Sequence, residues 1–131
     1  MSIRALSWLP LAFGLAGSAA TADTVAEFIT PGGTLSVLPE DVHDAVAQLE
    51  TQGPTLWFRL GPDASVDMAA LTSASIGQML TLKVCGELVV EVRVQERITG
   101  SGMVTLDSMD DASRYADRMR GDAPCDAVDA N

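Results

Sequence analysis

The sequence predicts an α+β fold, a small and mostly antiparallel sheet with helices packed on one face, in the order β-α-β-α-β-β-β-α. Apolar and polar residues alternate along 79–94, which is typical of a β-hairpin. Apolar residues recur at helical spacing along 109–120, and Gly and Pro residues separate the patterned segments. A chain of 131 residues has room for one hydrophobic core.

Residues 1–22 are interpreted as a signal peptide. Arg4 precedes a short apolar run, and Ala20, Thr21 and Ala22 form a small-residue cleavage site before Asp23. The run is shorter than the roughly twenty residues needed to cross a bilayer, which disfavours the alternative of an uncleaved anchor. We therefore expect a periplasmic or secreted protein with no stable membrane insertion after signal cleavage.

The mature chain is divided into three parts. Residues 23–33 are interpreted as a lead-in segment, residues 34–121 as a single domain, and residues 122–131 as an acidic tail. The domain is expected to begin with a strand at 34–38, where apolar and polar residues alternate.

A helix is predicted next, at 39–51. It would begin at Pro39, and four apolar residues follow at positions i, i+3, i+4 and i+7. These are Val42, Ala45, Val46 and Leu49. A strand at 55–60 and a second helix, beginning near Pro62 and ending before Gly77, complete this half of the chain.

The hairpin at 79–94 is predicted to turn at Gly86 and Glu87. Its apolar face, which includes Leu88 and Val92, is expected to be covered by the helices. Glu87 and Glu91 are interpreted as solvated charges on the other face. Carboxylates four residues apart along a strand are too widely separated for paired acid–base catalysis.

The last predicted elements follow a glycine-containing loop at 98–102. They are a short strand at 103–106 and a helix at 109–120, for which Asp107 or Ser108 provides the N-cap.

Cys85 and Cys125 are the two cysteines of the chain. In an oxidising compartment they are expected to form a disulfide that ties the C-terminal tail to the domain. A free reactive thiol or an intermolecular bridge are the alternatives.

Charge and composition exclude several functions. With 18 Asp and Glu against 8 Lys and Arg, the net charge is −10, which disfavours nucleic acid as a partner. His43, the single histidine, is interpreted as a solvent-edge residue and not as a base or metal ligand. Because no nucleophile, base and orienting group can be assembled, we predict no catalytic residue, no metal and no cofactor.

Candidate partner contacts lie on the polar side of the predicted strands: Trp57, Arg59 and Arg93. Trp57 is the residue on which two interpretations differ. It either anchors a bound polypeptide or packs beneath the tail that Cys125 ties to the domain.

Four segments together resemble the head part of the first periplasmic domain of SecD and SecDF translocase subunits. They are TLWFRL (55–60), LTSASIGQ (71–78), LTLKVCG (80–86) and VQERI (94–98) followed by GSG (100–102). The resemblance covers about residues 54–120. Cys85 departs from it, because the family usually has Asp before the turn glycine, and Glu91 and Val92 replace the usual Ala-Pro pair.

The resemblance implies a head that contacts emerging polypeptide. The proton coupling of the family belongs to its membrane part and is not carried over, and no catalytic residue follows. The sequence thus favours an exported, non-enzymatic binding module whose partner is a polypeptide or an envelope protein. The alternative is an acidic envelope inhibitor or an accessory subunit of a basic enzyme, which the net charge of −10 favours.

Overall fold

Seven strands form two antiparallel sheets within residues 24–125, the part of the chain that the computed structural model describes. The four-stranded sheet contains β1 (Ala26–Thr30), β2 (Gly33–Val37), β5 (Met79–Val84) and β6 (Glu87–Arg93). The three-stranded sheet contains β3 (Val42–Glu50), β4 (Gly53–Leu60) and β7 (Ser101–Thr105). The strand orders are β2-β1-β5-β6 and β3-β4-β7, so β6 and β7 are both edge strands.

Two α-helices and one 3-10 helix accompany the sheets in this part of the chain. The helix α1 (Pro62–Ser73) packs beside β2, and α2 (Met109–Arg120) covers β3 and β4. The 3-10 helix spans Pro39–Asp41. Neither α-helix is long and apolar enough to cross a membrane. The predicted signal peptide and residues 126–131 of the predicted tail lie outside the described residues.

The hydrophobic core lies between the two sheets. Phe28 of β1 and Phe58 of β4 meet there, with ring centroids 5.6 Å apart. Met68 of α1 and Met119 of α2 are fully buried in the same cluster. A single core therefore joins both sheets and both helices, as expected for a chain of this length.

The α+β class is confirmed, and so are the strand at β4, the hairpin of β5 and β6, and the last helix. Helix α2 begins where predicted, because the Ser108 side chain accepts a hydrogen bond from the Asp111 backbone N–H at 3.0 Å. It ends at Gly121, whose φ of 81° is the left-handed conformation that glycine favours. The strands divide between two sheets, whereas one sheet was expected.

The helix predicted at 39–51 is wrong, because residues 42–50 form β3. This strand pairs with β4 from Val42 opposite Leu60 to Glu50 opposite Gly53, with one irregularity at His43. Of the apolar residues that suggested a helix, Ala45 is buried but Leu49 is 73% exposed. The repeat at i, i+3, i+4 and i+7 was therefore coincidental, and strand pairing satisfies the backbone of the segment.

The segment interpreted as a lead-in, 23–33, contains a strand of the sheet. β1 pairs with β2 on one side and with β5 on the other. Val25, Ala26 and Phe28 are buried in the core. The first strand thus begins before the predicted domain start at residue 34.

A β-bulge in β6 changes which side chains the hairpin buries. The register passes from Leu82 opposite Val90 to Lys83 opposite Leu88, so Val89 is the extra residue. Leu88 consequently faces outward and is 55% exposed, while Glu87 contacts α2. The prediction that Leu88 is covered is therefore wrong. Glu87, whose side chain is 40% exposed, is a surface charge as predicted, but it is paired with α2.

Candidate binding groove

An apolar groove opens between the edge strands β6 and β7. Its volume is about 350 Å³. The residues that line it come from both sheets, from α1 and from the loop between the two strands: Phe28, Phe58, Met68, Leu80, Leu82, Val90, Val92, Ile98, Gly102, Met103, Val104 and Thr105. Hereafter this set is called the β6–β7 groove.

The most buried residues that line the groove belong to the hydrophobic core. Phe28 and Met68 are almost completely buried there. The ring of Phe58 lies directly against the β7 backbone, because a Cβ built on Gly102 would come within 2.5 Å of its Cζ atom. Glycine at this position therefore allows β7 to approach the ring closely.

The rim of the groove exposes apolar side chains. Val92 is 43% exposed and Met103 is 54% exposed. The expectation that helices cover the apolar face of the hairpin is therefore wrong at Val92. Neither α1 nor α2 covers the gap between the sheets at this point, and an exposed apolar surface continuous with a groove is typical of a binding site.

The loop that joins β6 to β7 is fixed to α1 and β4. The backbone N–H of Ile98 donates to the Thr72 hydroxyl at 2.8 Å, and the N–H of Leu60 donates to the Gly100 carbonyl at 2.8 Å. Thr72 is fully buried. Because Ile98 also lines the groove, these bonds fix one of its walls without help from a ligand.

A charged cluster joins the hairpin to α2. Glu87 accepts hydrogen bonds from the Tyr115 hydroxyl at 2.8 Å, from Arg114 at 3.0 Å and from Arg118 at 3.3 Å. Arg118 is 5% exposed. Burial, and secondarily the hydrogen bond to Glu87, raise the pKa of Tyr115 above its ordinary value of 10.0. The phenol therefore stays protonated and acts as a donor. The cluster connects two elements and lies outside the set of residues that line the groove.

The structure does not bring the three predicted partner contacts together. Trp57, which is 38% exposed, and Arg59 line a cleft of about 190 Å³ beside His43 and Asp44 on the three-stranded sheet. Arg93 lies in the other sheet, and its guanidinium donates to the Gly77 carbonyl at 2.6 Å. All three remain candidate contacts, in two separate places. His43 lies on β3 and not on a helix.

The predicted disulfide between Cys85 and Cys125 is confirmed, with an S–S distance of 2.00 Å. It joins the β5–β6 turn to the segment after α2. The two cysteines lie beside Thr24, Glu27 and Lys83, on the four-stranded sheet, whereas Trp57 lies on the other sheet. Within residues 24–125, no group of three or more His, Cys, Asp or Glu side chains is arranged to hold a metal ion.

Two solved structures of SecDF share the fold of this chain. One is a SecDF protein described as a membrane component that enhances protein export. It matches with a TM-score of 0.61 and 18% identity over 88% of this chain and 71% of that chain. The other is SecDF in its super-membrane-facing form, with a TM-score of 0.61 and 19% identity over 80% of this chain and 20% of that chain.

These similarities confirm the resemblance to a SecDF domain at the level of the fold. No protein-family model matches the sequence. No curated protein matches it either.

Proposed function

We propose that this chain is an exported, non-enzymatic binding module that holds apolar side chains of extended polypeptides in the β6–β7 groove. The observation that supports it most directly is the groove itself, which is apolar, open at the rim and about 350 Å³ in volume. A cavity of about 150 Å³ holds a benzene molecule, so the groove has room for roughly two large apolar side chains.

The fold supports a polypeptide as the partner. A SecDF protein that shares this fold over 71% of the compared chain is described as a membrane component that enhances protein export, which is why we propose a polypeptide as the partner. Export of this chain itself belongs to the proposal and depends on the predicted signal peptide at 1–22.

The second candidate is an acidic inhibitor or accessory subunit of a basic enzyme. The net charge of −10 favours it. Such a complex would depend on long-range attraction and would weaken steeply as salt is added. Binding in an apolar groove would instead lose only the attraction of flanking basic residues as salt is added, and the remaining affinity would be insensitive to salt.

Peptide binding to two matched variants tests the proposal. The probe is a labelled peptide of about nine residues that alternates leucine with threonine and carries lysine at both ends. Val92→Lys places a charge at the groove rim, and we expect it to weaken binding about tenfold or more, which corresponds to about 1.4 kcal/mol. Leu88→Lys changes the same strand on its outward face and should leave affinity within about twofold.

The two functions give opposite results. Equal affinities of the wild type and Val92→Lys, together with affinity that falls steeply in salt, would favour the acidic inhibitor. Loss confined to Val92→Lys would support the groove.

A further inference from the structure

We infer that the polypeptide binds by adding an antiparallel strand to the free edge of β7, with alternate side chains entering the β6–β7 groove. The inference rests on the proposed function and specifies its geometry. It identifies the ligand as an extended segment in which every second residue is large and apolar. Within residues 24–125, β7 is paired on one side only, with β4.

The hydrogen-bond pattern shows which β7 atoms are available. At the two ends of the β4–β7 ladder, Leu60 N donates to Gly100 O and Leu106 N donates to Pro54 O, each at 2.8 Å. Bonded and non-bonded pairs alternate in an antiparallel ladder, so Gly102 and Val104 use their N–H and C=O groups toward β4. The N–H and C=O groups of Ser101, Met103 and Thr105 therefore point to the free edge.

Of the two edges that border the groove, β7 is the unprotected one. β6 contains the bulge at Val89 and the charged residues Glu91 and Arg93, which are features that hinder pairing with another strand. β7 has the sequence SGMVT, with no charge and no proline, and its register with β4 is regular. An unprotected edge beside an exposed apolar rim is suited to strand addition.

The side-chain geometry of an added strand fits the groove. Peptide residues opposite Gly102 and Val104 would face the core, since residues opposite each other share one face of the sheet. They would be two positions apart, about 6.8 Å, and would enter the groove above Phe28 and Met68. Two such side chains match the volume of about 350 Å³.

A second copy of this chain fits less well than another polypeptide. Its own β7 offers Gly102 and Val104 on one face, which would leave most of the groove unfilled. Two copies that each carry a charge of −10 also repel each other. The same charge favours a segment flanked by basic residues, which is why the probe peptide ends in lysine.

Backbone N-methylation of the probe peptide tests strand addition separately from side-chain burial. In antiparallel pairing, residues opposite Ser101, Met103 and Thr105 direct their N–H groups to β7, and these are the threonine positions. We expect N-methylation at the threonines to weaken binding at least tenfold. N-methylation at the leucines should leave it within about threefold. The amide of Met103 should exchange hydrogen more slowly in the complex.

A proline variant tests the same edge from the protein side. Met103→Pro removes one outward N–H at an edge position where proline is tolerated, and Met103→Leu retains the N–H. We expect at least a tenfold loss of affinity for the first and an unchanged affinity for the second. Melting curves of both variants establish that the fold persists, and the methylated peptides decide the question if Met103→Pro does not fold.

The experiments distinguish strand addition to β7 from the proposed binding in the groove. Binding that is lost in Val92→Lys but is insensitive to N-methylation would overturn strand addition and leave the proposed function standing. Loss on methylation of the leucines instead of the threonines would overturn the antiparallel orientation. Absence of binding by the unmodified peptide would overturn the proposed function.

Discussion

A single carboxylate, Glu87, links the hairpin to α2 through Tyr115, Arg114 and Arg118. Tyr115→Phe removes one of these bonds and preserves the ring. A hydrogen bond to a charged group contributes about 1.5–3 kcal/mol, and two arginines remain to pair with Glu87, so we expect a loss of about 1–2 kcal/mol of unfolding free energy. Urea denaturation at neutral pH measures it. A loss below about 0.3 kcal/mol would contradict the structural role of the bond.

We also expect Tyr115→Phe to alter how the unfolding free energy depends on alkaline pH. The pKa of Tyr115 is raised in the folded protein, so the native state binds the phenol proton more tightly than the unfolded state. This contribution is fully present below pH 10, the ordinary pKa, and is lost as pH rises through the higher folded pKa. Unfolding free energy should therefore fall less steeply above pH 10 in Tyr115→Phe than in the wild type, and parallel curves would contradict this.

Among the secondary-structure elements, the β5–β6 hairpin and α2 were predicted correctly because their signals lie within short stretches of sequence. Apolar and polar residues alternate along β5 and β6, which indicates strands with one buried face. In α2, apolar residues recur at helical spacing between the Ser108 cap and Gly121. β1 was missed although its signal is local, because Phe28, Ile29 and Thr30 are strand-forming residues and a turn at Pro31 and Gly32 joins them directly to β2. The turn residues were taken as the end of a lead-in segment and not as the turn of a hairpin.

The groove could not be predicted because no single element contains it. Val90 and Val92 have the pattern of buried strand residues, and only the separation of the two sheets leaves Val92 exposed at a gap. The bulge at Val89, which directs Glu87 toward α2, has no marker in the sequence, since valine is an ordinary strand residue. The one available signal was the short, uncharged segment at 101–105.

The loop between β6 and β7 depends on glycine at position 100. Gly100 has a φ of 107°, and a Cβ there would overlap the Ser65 hydroxyl and come within 3.2 Å of the Ser65 Cα. Gly100→Ala therefore combines backbone strain with a clash against α1, and we expect a loss of about 2–4 kcal/mol. Gly77→Ala is the matched control, because its φ is 88° and no atom lies within 4 Å of its Cβ position. It should lose about 1 kcal/mol, measured by thermal denaturation. Equal losses would exclude the clash.

Across the whole molecule, the charged side chains that form ion pairs and the β6–β7 groove lie in different places. Three of the arginines, Arg114, Arg118 and Arg120, form ion pairs on or beside α2. The large excess of acids over bases makes identical copies repel one another, while the residues that line the β6–β7 groove are uncharged. Affinity for an apolar segment and repulsion between copies can therefore coexist.

The disulfide between Cys85 and Cys125 acts across the whole molecule, because it closes a chain segment that contains β6, β7 and α2. Its sequence separation is 40 residues, for which loop-closure entropy gives about 3–4 kcal/mol of stabilisation. We expect the Cys85→Ala/Cys125→Ala variant to lose about this amount in urea denaturation under non-reducing conditions. The β6–β7 groove does not include either cysteine, so peptide affinity measured at low temperature, where the variant remains folded, should stay within about threefold.

The reduced wild type serves as the matched control and should unfold at the same urea concentration as the variant. A variant as stable as the oxidised wild type would contradict a stabilising role of the disulfide, and a folded variant that no longer binds the peptide would show that the bond also shapes the groove.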